Sequence, residues 1–234
     1  MKFTLFIAVF AGLLAGVGGY FLTPNNTDLP DSVKTVKSKV YKDFSVAMDL
    51  GGAYDSANFC KTSNWIEESD IHGRTYVVHT CEYDQKAIDA VNDWNLRMAD
   101  EVISDRGAQV GDIIVGSSLS PVEKKVAHQR LLDWANAEHD KMATMGVSSI
   151  VMESRFLVNK DNTVVPLDPT FSIMSDINPH LNYISKMPYK VAIKNIFAVQ
   201  LNDEIPTDFA KVADDNVIQY TVSNMTQFRL EQQQ

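Results

Sequence analysis

Five histidines and two cysteines hold most of the reactive capacity of this 234-residue chain. Histidine titrates near neutral pH and joins cysteine and carboxylates in binding metals. Asp70 and His72 lie two residues apart, as do His79 and Cys81, so each pair shares a strand face and a small mixed site can be drawn across a hairpin joining them. No standard metal-ligand spacing is present, however, and Cys81 has Cys60 as a partner, so no metal is expected. His128 and His139 are eleven residues apart, which puts them within about 20° of each other on one helix, on the side of Leu132, Ala135 and Met142. Their separation along the axis is roughly 16 Å, too far for one metal ion to bridge, so each is expected to be partly buried on its own.

Nucleophilic chemistry has less to work with. Gly116-Ser117-Ser118 carries no G-x-S-x-G elbow, and S-x-x-K does not occur. The acidic pairs Glu67-Glu68, Asp100-Glu101 and Asp214-Asp215 are adjacent rather than facing, which suits a solvated surface better than a glycosidase pair. Neither a P-loop nor G-x-G-x-x-G is present, so no nucleotide and no other cofactor is expected. Asp168 sits in Val165-Pro166-Leu167-Asp168-Pro169, where a strand ends and turns and Pro169 holds Asp168 extended. No catalytic residue is nominated. The candidate ligand-binding residues are His79, His128, His139 and Asp168, and an enzyme would need a pocket collecting His79, His128 and Asp168 from their separate segments.

The elements that must position these groups are read from periodicity. Phe44, Val46, Met48 and Leu50 alternate as a strand that Gly51-Gly52 ends. Residues 64–70, a turn at His72-Gly73-Arg74 and residues 75–83 form a hairpin. With the tip there, Cys81 faces the region of Trp65, so the chain before Trp65 must fold back for a disulfide to Cys60 to close. Such a bridge closes a loop of about 20 residues and is worth about 3 kcal/mol in the chain-entropy model. Ala87, Val91, Trp94, Met98 and Val102 mark a helix over 84–106, capped by Asp84 and stopped by Gly107. Ser120-Pro121-Val122-Glu123 opens a second helix with a capping box, and Gly146 closes it. The stretch 110–119 between them reads as a short strand or packed connection. Residues 149–158, the turn 159–162 and residues 163–167 make a second hairpin. The longest strand is placed at 189–201 and a last one at 217–223. Strands, two helices, then strands argue an α+β fold, an antiparallel sheet domain with two long helices inserted between strand groups.

Residues 3–22, FTLFIAVFAGLLAGVGGYFL, are uncharged and at 1.5 Å each span about 30 Å, the thickness of a bilayer core. The run exceeds a usual signal-peptide core and has no small-residue cleavage pair after it, so an N-terminal transmembrane helix is expected. Lys2 before it and Asp28 and Asp31 after it put the rest of the chain outside the cytoplasm. The resulting division is 1–23 anchor or signal segment, 24–39 linker and 40–234 exported domain. Gly12 and Gly16 form a GxxxG pair that could support a homodimer, although glycine is common in membrane spans. A net charge of -9 argues against nucleic acid as a partner. Lys34, Lys37, Lys39 and Lys42 read as a solvated stalk just outside the membrane. The expected function is that of an anchored envelope domain, periplasmic or extracellular, that binds another envelope protein without catalysis. The alternative is a periplasmic or secreted protein with its signal removed, binding a small ligand or hydrolysing a substrate at an unrecognised site.

Overall fold

Alternating burial along TYVVHTCEY and SIVMESRFLV builds the centre of a sheet. In the computed structural model, which describes residues 29–43, 48–144, 146–177, 182–199 and 206–213, these segments are β2 (Thr75–Tyr83) and β3 (Ser149–Val158). Val77, His79, Cys81 and Tyr83 from one, and Ile150, Met152, Ser154 and Phe156 from the other, all bury on the same face. The other strands are β1 (Cys60–Ser69), β4 (Val164–Pro166), β5 (Thr170–Met174) and β6 (Tyr183–Lys186). Every pairing is antiparallel, in the order β1-β2-β3-β5-β6, with β4 and β5 sharing the far edge of β3. The α+β architecture with an antiparallel sheet is therefore present.

The chain divides into two units, Met1–Asp31 and Ser32–Gln234, and the sheet lies within the second. Helix α1 (Asp31–Lys37) occupies the stretch expected to be linker, and its Val33 and Val36 are fully buried. Packing thus begins well before Val40. Helix α2 (Leu50–Asp55) takes in Leu50, the last position of the strand expected from Phe44, and Met48 and Asp49 before it are not in a strand. Asp49 caps it, accepting a hydrogen bond from the Gly52 backbone N–H at 2.7 Å, and this turns the chain helical just where alternation had suggested extension. Gly51 then sits directly on α1: a Cβ there would stand 2.6 Å from the Lys37 Cβ. Gly51→Ala is expected to destabilise the domain by about 1–3 kcal/mol through overpacking, read as a lower urea midpoint with an unchanged m-value.

The first hairpin follows the sequence closely. Gly73 takes φ 69 at its tip, and the Asp70 carboxylate accepts from the His72 and Arg74 backbone N–H groups at 2.9 Å each. Its register corrects one expectation. Trp65 stands opposite His79, Ser63 opposite Cys81 and Cys60 opposite Tyr83, with a bulge between Cys60 and Thr62. That bulge, rather than a folding back of the chain, brings Cys60 beside Cys81, and the two form a disulfide with Cα atoms 5.3 Å apart.

Between the adjacent strands β2 and β3 the chain inserts α3 (Gln85–Gly116) and α4 (Pro121–Thr144). Asp84 caps α3 by accepting from the Ala87 N–H at 2.7 Å. The helix does not stop at Gly107; it runs on through 110–116, in place of the expected strand or connection. A single glycine costs a helix only about 1 kcal/mol, and the neighbours Ala108, Gln109, Ile113 and Ile114 keep the helix going. The capping box of α4 forms as expected, Glu123 accepting from the Ser120 N–H at 2.8 Å.

The longest expected strand is instead a helix, α5 (Tyr189–Val199). Ala192, Ile193, Ile196 and Phe197 bury together while Lys190 and Lys194, four apart, stay exposed, a helical period that the shorter alternating pattern concealed. Helix α6 (Thr207–Ala210) and a 3-10 turn (Lys211–Ala213) complete the described chain. Phe209 packs against Phe59 and Phe171, so α6 covers the same sheet face as α2. The expected strand at 217–223 lies outside the described residues, as do residues 44–47 of the first expected strand.

Candidate functional site

His79 lies in the middle of the covered face and is completely buried. Its ring stands 4.6 Å from both Tyr54 and Trp65, which in turn pack on Phe156. The ring's Nε2 is 2.8 Å from the hydroxyl of Ser63, an exposed residue, while its Nδ1 is buried without a hydrogen-bond partner among the described residues. Burial pulls this imidazole down to about 3, with the negative charge of Asp55 opposing and the positive charge of Lys37 adding to the effect. A serine beside a histidine invites a hydrolytic reading, but an imidazole this weakly basic takes no proton at neutral pH, and no carboxylate among the described residues orients its Nδ1. Asp55 is committed elsewhere: it accepts from the Trp65 indole at 2.7 Å and pairs with Lys37 at 2.6 Å. The cluster is therefore an aromatic core element whose histidine stays neutral. Tyr54, whose hydroxyl donates to Ser154 at 3.1 Å, is hidden in the sequence because it follows the Gly51-Gly52 pair that signals a strand end.

The other candidate residues go to separate places. Asp168 accepts a hydrogen bond from the Tyr189 N–H at 2.9 Å and so caps α5 from another part of the chain. His128 faces Gly111 of α3, whose added Cβ would lie 3.7 Å from the imidazole Cε1. His139 is exposed and pairs with Asp100 of α3 at 2.7 Å; that hydrogen bond, together with the carboxylate's charge, raises its pKa. Of the side expected to face inward, Met142 is buried and His128 faces α3, whereas Leu132 is exposed and its neighbour Leu131 is buried instead. His79, His128 and Asp168 thus contact different elements: His79 contacts α2 and β1, His128 contacts α3, and Asp168 contacts α5. Among the described residues no group of three or more histidines, cysteines and carboxylates could hold a metal ion.

What the structure does assemble is an arm. At its base the Asn92 side chain both donates to the Val147 carbonyl, at 3.0 Å, and accepts from the Val147 N–H, at 2.7 Å, tying α3 to the chain that returns from α4. Ala99 and Met142 bury together with Leu96 packed on them. The last buried residue of α3 is Ile103, and the helix continues for 13 more residues, about 20 Å. Near the far end the Lys124 ammonium donates to the Val115 carbonyl at 2.7 Å, and Ser117 Oγ donates to the Ile114 carbonyl at 2.6 Å, so the turn at 117–120 is well bonded. Its surface is apolar all the same. Ile113 and Val115 are 63% exposed and Val122 73%, with Leu119 and Val126 also open to solvent. Val122 and Val126 lie on the opposite side of α4 from Leu131 and so point away from α3. Five large apolar side chains close to one helix-helix turn exceed the scattered exposure ordinary for a protein surface.

The disulfide indicates an oxidising compartment outside the cytoplasm. Among the described residues no helix is long and apolar enough to cross a membrane, and residues 3–22 lie outside them. Compared with protein-family models, with curated proteins and with solved structures, the chain matches none of them.

Proposed function

We propose that this chain is an exported binding module, tethered through residues 3–22, whose helical arm docks on another envelope protein. The observation that carries this reading is the apolar end of the arm, held on a well-bonded two-helix support and exposed to solvent among the described residues. A two-helix tip of this kind suits a hydrophobic groove, with Val122 and Val126 as i, i+4 anchors. The bonded turn and the Asn92 clamp hold the anchors in place before binding, which reduces the ordering cost of association. The tether would hold the arm near the membrane and raise its effective concentration toward a membrane-bound partner. A second reading, a cleaved and freely diffusing protein that binds a small ligand, is favoured by a cleft at the base of α3.

Chemical crosslinking in native membranes, followed by capture of the chain and identification of what accompanies it, tests the docking. Wild type is expected to retain a defined envelope protein, and Val122→Asp combined with Ile113→Asp is expected to lose at least 90% of it, while the unfolding midpoint moves little because both sites are exposed. Equal capture by both forms would overturn the arm's role. Mass spectrometry of the mature N-terminus tests the tether, since a start near residue 20–27 would exclude it.

A further inference from the structure

The cleft at the base of α3 has a volume of about 360 Å³, within the range of small-ligand sites. Its apolar floor is formed by Phe59, Ala87 and Ala210, all buried residues that still border the opening. On its rim the Arg97 guanidinium lies 4.9 Å from the centre of the Trp94 ring; Lys211, which lies beside the cleft and not in its lining, holds its ammonium 4.6 Å from the same centre. The two cations are thus held less than about 10 Å apart, roughly one Debye length at physiological salt. Among the described residues neither has a carboxylate partner. Lys86, in the lining, adds a third positive group, and the one acid there, Asp84, already accepts the α3 capping bond. In a chain of net charge -9 this is a local inversion of sign. Asn58 and Thr207 place an amide and a hydroxyl at the opening.

We infer that this cleft binds a small organic anion, a carboxylate with an apolar body. The carboxylate would take the fork of Arg97, already oriented by its stack on Trp94, with Lys211 adding charge, and the body would lie on Phe59 and the alanines. The site stands on its own observations, and its occupancy does not depend on the arm.

Octanoate is the probe, with octylammonium supplying the body without the negative charge and inorganic phosphate the charge without the body. Calorimetric titration with amide shift mapping is expected to show octanoate binding with a Kd at or below about 1 mM, shifts centred on Asn58, Lys86, Arg97 and Thr207, and far weaker binding of the other two probes. Arg97→Gln is expected to weaken octanoate at least tenfold and Lys211→Gln several-fold. Lys160→Gln, in a distant turn, should leave the affinity unchanged. All three side chains are exposed, and an amide spectrum of each variant checks that it has folded. Octanoate and octylammonium binding alike, shifts mapping elsewhere, affinity indifferent to Arg97→Gln, or no octanoate binding at about 10 mM would each overturn the inference.

Discussion

Lowering the pH from 6.5 to 4.5 is expected to cost the folded domain about 2–3 kcal/mol, almost all of it through His79. The imidazole's pKa falls from an ordinary 6.5 to about 3 on burial, so over this interval the unfolded chain takes up a proton that the native state refuses. Stability from this residue is fully present above 6.5 and is lost as the pH falls toward 3. Among the described residues Asp70, Glu123 and Asp161 are also held below the usual carboxylate range by hydrogen bonds, so their losses begin near pH 5, at the acid end of this window, and continue below it; they are small because the groups are exposed. His139 has the opposite sign: its pKa is raised by Asp100, so its contribution is present in acid and fades as the pH climbs through the raised value, with the effect small because the pair is exposed. Urea midpoints at pH 7, 5.5 and 4.5 should therefore fall steeply for the wild type and much less for His79→Gln, which cannot ionise. Parallel slopes for the two would refute the assignment.

Removing the disulfide is the other large effect. Cys60→Ala with Cys81→Ala is expected to lower stability by about 3 kcal/mol, the loop entropy of a bridge across 21 positions. Against a total of roughly 5–15 kcal/mol for a domain of this size, that loss is severe, and it couples folding to compartment. Chain made in a reducing cytoplasm should unfold at lower denaturant concentration than chain made in an oxidising one, and adding a reductant should bring the second to the first. Bulge and bridge sit at the opposite end of the hairpin from Gly73, where strand pairing would otherwise fray. Equal midpoints with and without the bridge would mean that the hairpin's side-chain packing alone secures it.

How far the sequence carried the fold depended on whether a segment's local pattern matched its tertiary role. The hairpin around Gly73, the capping box at Ser120 and the turn at 159–162 were legible because each rests on turn or cap chemistry confined to a few neighbouring residues. Residues 189–199 misled because their apolar positions suit either period, and the deciding hydrogen bond comes from Asp168, 21 residues away in the chain. Residues 50–55 misled because Gly51-Gly52 signals a break, whereas Gly51 is needed for contact with Lys37. The length of α3 was missed because Gly107 resembles a stop, although helix formers follow it.

The candidate site was less legible. The histidines drew attention as reactive residues, yet His79 serves packing and His139 an exposed ion pair. The arm became visible only once α3 passed Gly107 and left Ile113 and Val122 beyond any core. Trp94 and Arg97, three apart on one helix, were the available signal for the cleft. Lys211, which joins them from the other end of the chain, could not be placed beside them from spacing alone.

Photo-crosslinking from position 122, with a photoreactive side chain in place of Val122 and the full chain in its native envelope, addresses the docking arm most directly. A discrete adduct with one partner, formed from position 122 and not from position 160 in the turn between β3 and β4, is the expected result. Adducts of equal yield from both positions, or none from 122 in a correctly folded protein, would contradict a docking role for the arm.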